Sequence, residues 1–285
     1  MTSLRADSNP AKAVDALRMA LGRFEYAQRI ANVQERYDSY LRTAVEAEAS
    51  LLKYYSPAEV DRLVLGPTFQ QFSDSNLAAF GWTHQRLDNE LERRVETLTN
   101  EITDLQEEIA RWAYQVPEGA FADHRLHALV IDTGVLEEHP DRAELADLAP
   151  KWLEQARRPS GGIALAFASV TLDEIDRHKT VAQKMHGGDK LLKTEARRAQ
   201  KLLGSLFDGG VQRSEIDSSW HGIYGFLQAR PLGHVPFAIA DNEIISYALD
   251  LVPFAASVTF VTYDLGPSIT AEQQNLRALR LDYAD

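Results

Sequence analysis

The sequence has no cysteine, no glycine-rich nucleotide loop and no apolar stretch long enough to cross a membrane. Without cysteine there can be no disulfide scaffold, zinc finger, CxxC redox motif or thiol nucleophile, and the composition suits a reducing cytoplasm. The longest apolar stretches, such as Leu251 to Val261, fall well short of the roughly 20 residues that a membrane-spanning helix needs. The opening MTSLRADSNPAK lacks an apolar core, so no secretory signal is expected. No GxGxxG, Walker A, HExxH or GxSxG pattern occurs, which leaves dinucleotide, NTPase, zincin and serine-hydrolase readings without support. Positive charge is also scarce: 30 Lys and Arg stand against 42 Asp and Glu, a net charge of −12 over 285 residues. Bulk charge therefore does not draw this protein onto nucleic acid, and any such contact needs a local basic patch.

What is present divides into two halves with different patterning. From about residue 10 to 115 apolar residues recur in steps of three and four, among them Leu17, Leu21, Ile30, Val33, Tyr37 and Tyr40. Ser56-Pro57-Ala58-Glu59 reads as a helix start, with Ser as N-cap, Pro at the first helical position and Glu completing a capping box. A second long helix is expected over about 77–114. Its seam is Leu91, Val95, Leu98, Ile102, Leu105, Ile109 and Trp112, spaced as in a coiled coil. The simplest arrangement is an antiparallel helical hairpin over residues 1–120. Phe24, Tyr26, Leu51 and Leu52 fall off its stripe, so this arm is expected to form a homodimer or to bind a helical partner.

From residue 126 onward, short apolar runs alternate with amphipathic helices, the pattern of an α/β domain with a parallel sheet over residues 121–285. Strands are expected at His127–Ile131, Ile163–Ala168 and Ser257–Thr262, with a short edge strand near 278–281. The stretch 207–239 carries no readable pattern. Helices are expected over about 142–157, 172–185, 189–206, 242–251 and 268–276.

Four acids converge in this scheme. Asp132 ends the first strand and Asp264 follows the third, while Glu174 and Asp241 lie in the first turns of the helices that begin near 172 and 242. In a parallel sheet, strand C-termini and the following helix N-termini share one edge, where ligands bind. Taken singly, Asp241 reads as an N-cap and Glu174 as a partner for a helix dipole. Together they form a set of hard oxygen donors that suits Mg²⁺ or Mn²⁺ and repels itself without a cation. His124 and His127 precede the first strand, at the opposite edge.

The segments ALVIDTGVL, ASVTLDEIDRHK, ADNEIISYALDL and SVTFVTYDLGPSI, in that order over about residues 126–282, resemble the PIN domain family of metal-dependent nucleases. The likeness is to the branch whose segments read VxDTNVL, VxxELDxLK, DDxIL and VxLVTNDxNL. It implies a small α/β/α domain in which Asp132, Glu174, Asp241 and Asp264 bind one or two Mg²⁺ or Mn²⁺ ions and serve catalysis. Thr133 and Thr262 occupy the hydroxyl positions of the family's DT and T(N)D segments and are candidate substrate-binding residues. Gly134 stands where the family usually has Asn, Tyr263 replaces the Asn of the TND segment, and Asn242 takes the second acidic place of DDxIL.

The resemblance implies metal-assisted hydrolysis of phosphodiester bonds, leaving 5′-phosphate and 3′-hydroxyl ends, by an endoribonuclease acting on single-stranded or structured RNA. Two alternatives stand beside it: a catalytically weak PIN-like scaffold that binds RNA or protein, and a DNA nuclease of the related flap type. Residues 177–201 hold eight Lys and Arg against Asp189 and Glu195. Within that stretch Lys190, Lys193, Arg197 and Lys201 recur on one helix face and are expected to contact phosphates. His178 and His186 read as surface residues or phosphate contacts.

Overall fold

The computed structural model describes residues 4–73, 84–113, 125–158, 161–184, 190–218, 222–228, 235 and 237–282, with only the backbone described for 84, 181–184 and 190–193. Its contacts divide the chain into two units, Met1–Ala110 and Arg111–Asp285. The boundary expected near residue 120 lies outside the described residues.

In the first unit the long helical run breaks in two: α1 (Pro10–Arg29) and α2 (Val33–Leu51) pack on each other. The break is chemical. Ile30 leaves helical geometry, and the Asn32 side chain then accepts from the N–H of Glu35 to cap a new helix. Ser56 caps α3 (Pro57–Val60), accepting from the Glu59 N–H, while the Glu59 side chain accepts from Arg62. A π-helical turn (Asp61–Leu65), α4 (Gly66–Ser73) and α5 (His84–Trp112) follow.

Phe24 and Leu51, which the stripe left over, are consumed inside this unit, Phe24 in a tilted contact with Tyr40; Tyr26 alone of that set stays well exposed. The α5 seam is also broader than an apolar stripe. Val95 and Ile109 are only half-buried, while Glu90, Arg94 and Glu101 are buried beside Leu91 and Leu98. Arg94 pairs with Glu90 at 2.7 Å and donates to the carbonyl of Arg62 at 2.8 Å. Gly66 makes room for that guanidinium: its φ is +63°, and a Cβ there would lie 2.0 Å from Arg94 Nη2.

The second unit is built on a six-stranded sheet in the order β3-β4-β2-β1-β5-β6. β1 (His127–Ile131) and β2 (Ile163–Ala168) are buried at every position, as unbroken apolar runs in the middle of a sheet must be. β5 (Ser257–Thr262) pairs with the other side of β1, and β6 (Arg277–Arg280) closes that edge in parallel. The stretch without a readable pattern contains two strands, β3 (Arg213–Asp217) and β4 (Ile223–Gln228). β4 is parallel to β2, but β3 runs antiparallel to β4, so the sheet is mixed rather than wholly parallel. Both edge strands carry charged residues, which discourages pairing with another chain. Arg213 lies over the rings of Tyr224 and Phe226, and Phe226 stacks on Trp112 at 4.7 Å.

Helices α6 (Thr133–Glu138), α7 (Arg142–Gln155), α8 (Ser169–Lys184), α9 (Lys190–Leu206), α10 (Ala240–Leu251) and α11 (Leu265–Gln273) surround the sheet. α6 is a helix that the sequence pattern did not disclose. One core cluster joins Leu129, Ile131, Leu145, Trp152, Phe167, Ile175 and Leu203.

The strand order fixes where a ligand edge lies. After β1 the chain moves to β2 and β4 on one side, then crosses to β5 and β6 on the other. The topological switch therefore falls between β1 and β5.

Candidate active site

The register of β1 and β5 builds the centre of the site. Ile131 pairs with Val261, so the next residues, Asp132 and Thr262, leave the sheet side by side. The Asp132 N–H donates to the Val261 carbonyl at 3.1 Å, continuing the ladder by one rung. The Thr262 hydroxyl donates to Asp132 Oδ2 at 2.5 Å and accepts from the Asp264 N–H at 3.0 Å. Asp132 Oδ1 accepts from the Thr133 N–H at 2.7 Å, making Asp132 the N-cap of α6. The Thr133 hydroxyl donates to Glu174 Oε2 at 2.6 Å and so ties α6 to α8.

Each expected acid can now be placed. Asp132 is buried, Glu174 and Asp241 are half-buried, and Asp264 is exposed as the N-cap of α11. Helix α8 begins at Ser169, three residues before its expected start, so Glu174 sits in its second turn and not its first. Asp241 lies in the first turn of α10, but Ile239 occupies the cap position, so Asp241 is not an N-cap.

The electrostatics tie three of the acids together. Burial pushes the Asp132 carboxyl up to about 6, and the charges of Asp241 and Asp264 push the same way; the Thr262 hydroxyl and the Thr133 N–H hold it partly down. Asp241 is raised in turn by burial and by Asp264. Asp132 and Asp241 thus resist ionisation first because they are buried and then because acids lie nearby. A cation would relieve that cost, and the donors are all hard oxygens, so their chemistry fits Mg²⁺ or Mn²⁺. The four acids do not form a ready-made cage: among the described residues no group of three or more His, Asp or Glu is close enough to hold a metal ion.

One family model, described as a PIN domain, matches residues 129–282 of this chain. The chain belongs to the PIN domain family. No curated protein matches it. Among solved structures, a domain of a functionally unknown protein from Methanocaldococcus jannaschii DSM 2661 matches at 15% identity, covering 55% of this chain and 93% of that one with a TM-score of 0.36. PIN domains are in general metal-dependent nucleases, which agrees with an acidic edge and the absence of a thiol nucleophile.

The departures from the PIN pattern have visible consequences. A Cβ on Gly134 would meet nothing within 4 Å, so the missing side chain leaves open space on α6 next to Asp132. Tyr263 does not replace an amide in function. Its hydroxyl bonds His139 Nε2 at 2.8 Å, while His139 Nδ1 bonds Glu144 at 2.8 Å. A carboxylate only accepts, so Nδ1 carries the proton that bonds Glu144. This chain locks the β5–α11 corner to α7.

The hydroxyls of Thr133 and Thr262, expected to face substrate, are both donated to site carboxylates. Of the basic face, Arg197 and Lys201 are exposed on α9; the side chains of Lys190 and Lys193 lie outside the described residues, as do His124 and His186. His127 bonds Ser257 at 2.8 Å at the far end of β1, away from the acids. The pairing of His178 with Glu137, at 2.9 Å, escaped the sequence pattern because α6 itself did. The available signal was the four-residue spacing from Thr133 to Glu137 and from Glu174 to His178.

Proposed function

We propose that this PIN domain is a metal-dependent endoribonuclease that hydrolyses phosphodiester bonds of RNA. The observation that carries the reading is the placement of Asp132, Asp241 and Asp264 at the switch point between β1 and β5, where burial first and neighbouring carboxylates second raise the pKa of Asp132 and Asp241. Carboxylates crowded together at such an edge are costly unless a cation uses them. Asp132, Glu174, Asp241 and Asp264 would hold one or two Mg²⁺ or Mn²⁺ ions. Such an ion, when bound, supplies a water acidic enough to attack a phosphodiester near neutral pH and positive charge at the leaving 3′ oxygen.

The chain's own residues prepare for this. Thr262 orients Asp132 while fixing the backbone that carries Asp264, and Thr133 orients Glu174. Arg197 and Lys201 offer exposed positive charge on α9 for the strand backbone. The test is incubation with labelled RNA and DNA plus Mn²⁺, Mg²⁺ or EDTA; metal-dependent cleavage of RNA supports the reading, and cleavage restricted to DNA favours a flap-type nuclease.

A second reading has its own observations. The acids form no closed group of three, and the Tyr263 side chain is engaged by His139. Both favour a PIN fold that binds RNA or protein with weak catalysis. Metal-dependent binding without cleavage in the same assay supports it. We also propose that residues 1–120 mediate self-association in the cytoplasm, since Met19, Tyr26 and Val45 keep more than half of their surface exposed on α1 and α2. Light scattering of the full chain at tens of micromolar tests this, and a monomeric mass overturns it.

A further inference from the structure

Helices α6 and α8 are joined by two successive rungs. The first is Thr133 to Glu174; the second, one helical turn further along each helix, is Glu137 to His178. The second rung serves no role in the chemistry described so far, and its burial is lopsided. The Glu137 side chain is 8% exposed, whereas that of His178 is 37% exposed. His178 Nδ1 lies 2.9 and 3.0 Å from the two Glu137 oxygens, so Nδ1 must carry a proton and donate it. Nε2 has no partner among the described residues. A buried carboxylate is costly without a cation, and His178 is the group placed to supply one.

The surroundings of that imidazole are mixed in sign. Glu137 on α6 and Glu174 on α8 raise its pKa, the bond to Glu137 contributing most, whereas burial and Arg177 lower it. The net direction is upward, which favours the protonated form. α9 packs on the same stretch of α8: Lys179, next to His178, bonds Asp176 at 3.2 Å and Gln200 at 3.0 Å. Gln200 precedes the exposed Lys201. His178 thus lies between the acidic edge, one turn before it at Glu174, and the basic face of α8 and α9. A carboxylate that fixes one imidazole nitrogen and leaves the other without a partner among the described residues is a positioning device, the same physical arrangement by which acids orient histidines at metal and catalytic centres.

We propose that His178, oriented by Glu137, is a substrate-binding residue that contacts a backbone phosphate of the nucleic-acid strand beside Glu174. This rests on the nuclease reading and adds to it a contact that the acidic motif does not contain. It also explains why Glu137 is buried as an acid: it accepts from Nδ1, turns the imidazole, and its charge favours the protonated form. Phosphate, with its negative oxygens, is the ligand class that takes a half-exposed imidazole whose protonated form is favoured, next to a set of acids reserved for cations.

The test measures binding of a fluorescent single-stranded oligonucleotide by the full chain in EDTA across a salt series, and KM and kcat in Mn²⁺. His178→Gln is expected to weaken binding about threefold to tenfold and to lower the slope of log affinity against log salt by about 0.7, as loss of one phosphate contact requires. In Mn²⁺ it should raise KM by a similar factor while kcat changes less than about twofold. His178→Lys, which keeps the charge, should recover at least half of the slope. Binding, slope and KM in His178→Gln equal to wild type overturn the proposal, as does an equal loss in the Lys variant, which would mark a structural role. A wild-type chain that neither binds nor cuts any nucleic acid overturns the nuclease reading itself, a different outcome from either.

Discussion

Thr262 donates its hydroxyl to Asp132 and in the same geometry accepts from the N–H of Asp264. One small side chain at the end of β5 therefore sets the positions of two of the four acids. The link depends on strand register: because Ile131 faces Val261, Asp132 emerges beside Thr262.

Replacing Asp132 tests both fold and chemistry. Its carboxyl titrates near 6 in the fold against 3.8 when free, so the folded state holds an extra proton between those values. Its contribution to stability is thus fully present below about pH 4 and is lost as pH rises through 6. Asp132→Asn should then raise the stability of the metal-free protein by on the order of 1–2 kcal/mol at about pH 7.5, with the gain fading toward about pH 4. The expected gain is less than the full shift because Asn keeps one acceptor oxygen for two donors, the Thr262 hydroxyl and the Thr133 N–H. Denaturant melts at both pH values check this, and the same variant should lose metal-dependent cleavage.

Thr133→Val keeps the volume at the start of α6 but frees Glu174 from its 2.6 Å donor. Since the Thr133 N–H still reaches Asp132, the helix cap survives, and a stability loss of only about 1 kcal/mol is expected. Cleavage should fall more than folding does, because Glu174 loses its orientation. Parallel measurement of Tm and single-turnover rate separates the two effects.

Gly134 offers the opposite experiment. With nothing near its missing Cβ, Gly134→Asn should fold without strain, and a helical Asn costs less than Gly by a few tenths of a kcal/mol. It restores the amide of the family pattern beside Asp132. Tighter Mn²⁺ binding by calorimetry is the expected result; an unchanged affinity would show that the departure at this position carries no penalty.

Gly66 should tolerate nothing larger. Gly66→Ala forces a positive φ on an L residue and drives a methyl into the guanidinium of Arg94, whose partner Glu90 is also buried. A loss of about 2 kcal/mol or more is expected in a denaturant melt. Gly66→Asn should cost less in backbone strain yet meet the same guanidinium.

How much of this the sequence disclosed follows from how local each signal is. His127–Ile131, Ile163–Ala168 and Ser257–Thr262 are dense apolar runs buried on both faces, and the structure places β1, β2 and β5 on those same residues. β3 and β4 escaped because RSEID is polar and IYGFLQ carries a glycine, so neither shows a clean period. Arg142, which donates to the carbonyls of Glu215 and Ile216, is a long-range support for β3 that no local pattern encodes. The break at Ile30 was masked by continuous helical spacing on both sides, with Asn32 as its single sign. At the site, the acids were legible as residues ending strands and entering helices. The hydroxyl links from Thr133 and Thr262 were not, since they depend on register and on helix packing across more than 40 positions of sequence.

The central claim is that Asp132 and its neighbouring acids form a metal-dependent phosphodiesterase centre. The most direct measurement incubates wild type and Asp132→Asn with end-labelled RNA in Mn²⁺, in Mg²⁺ and in EDTA. The account expects wild type to cut in Mn²⁺ or Mg²⁺, to stop in EDTA, and to leave 5′-phosphate ends, while a folded Asp132→Asn cuts in none of the three. Cleavage that persists in EDTA, or an Asp132→Asn variant as active as wild type at low metal, would contradict it.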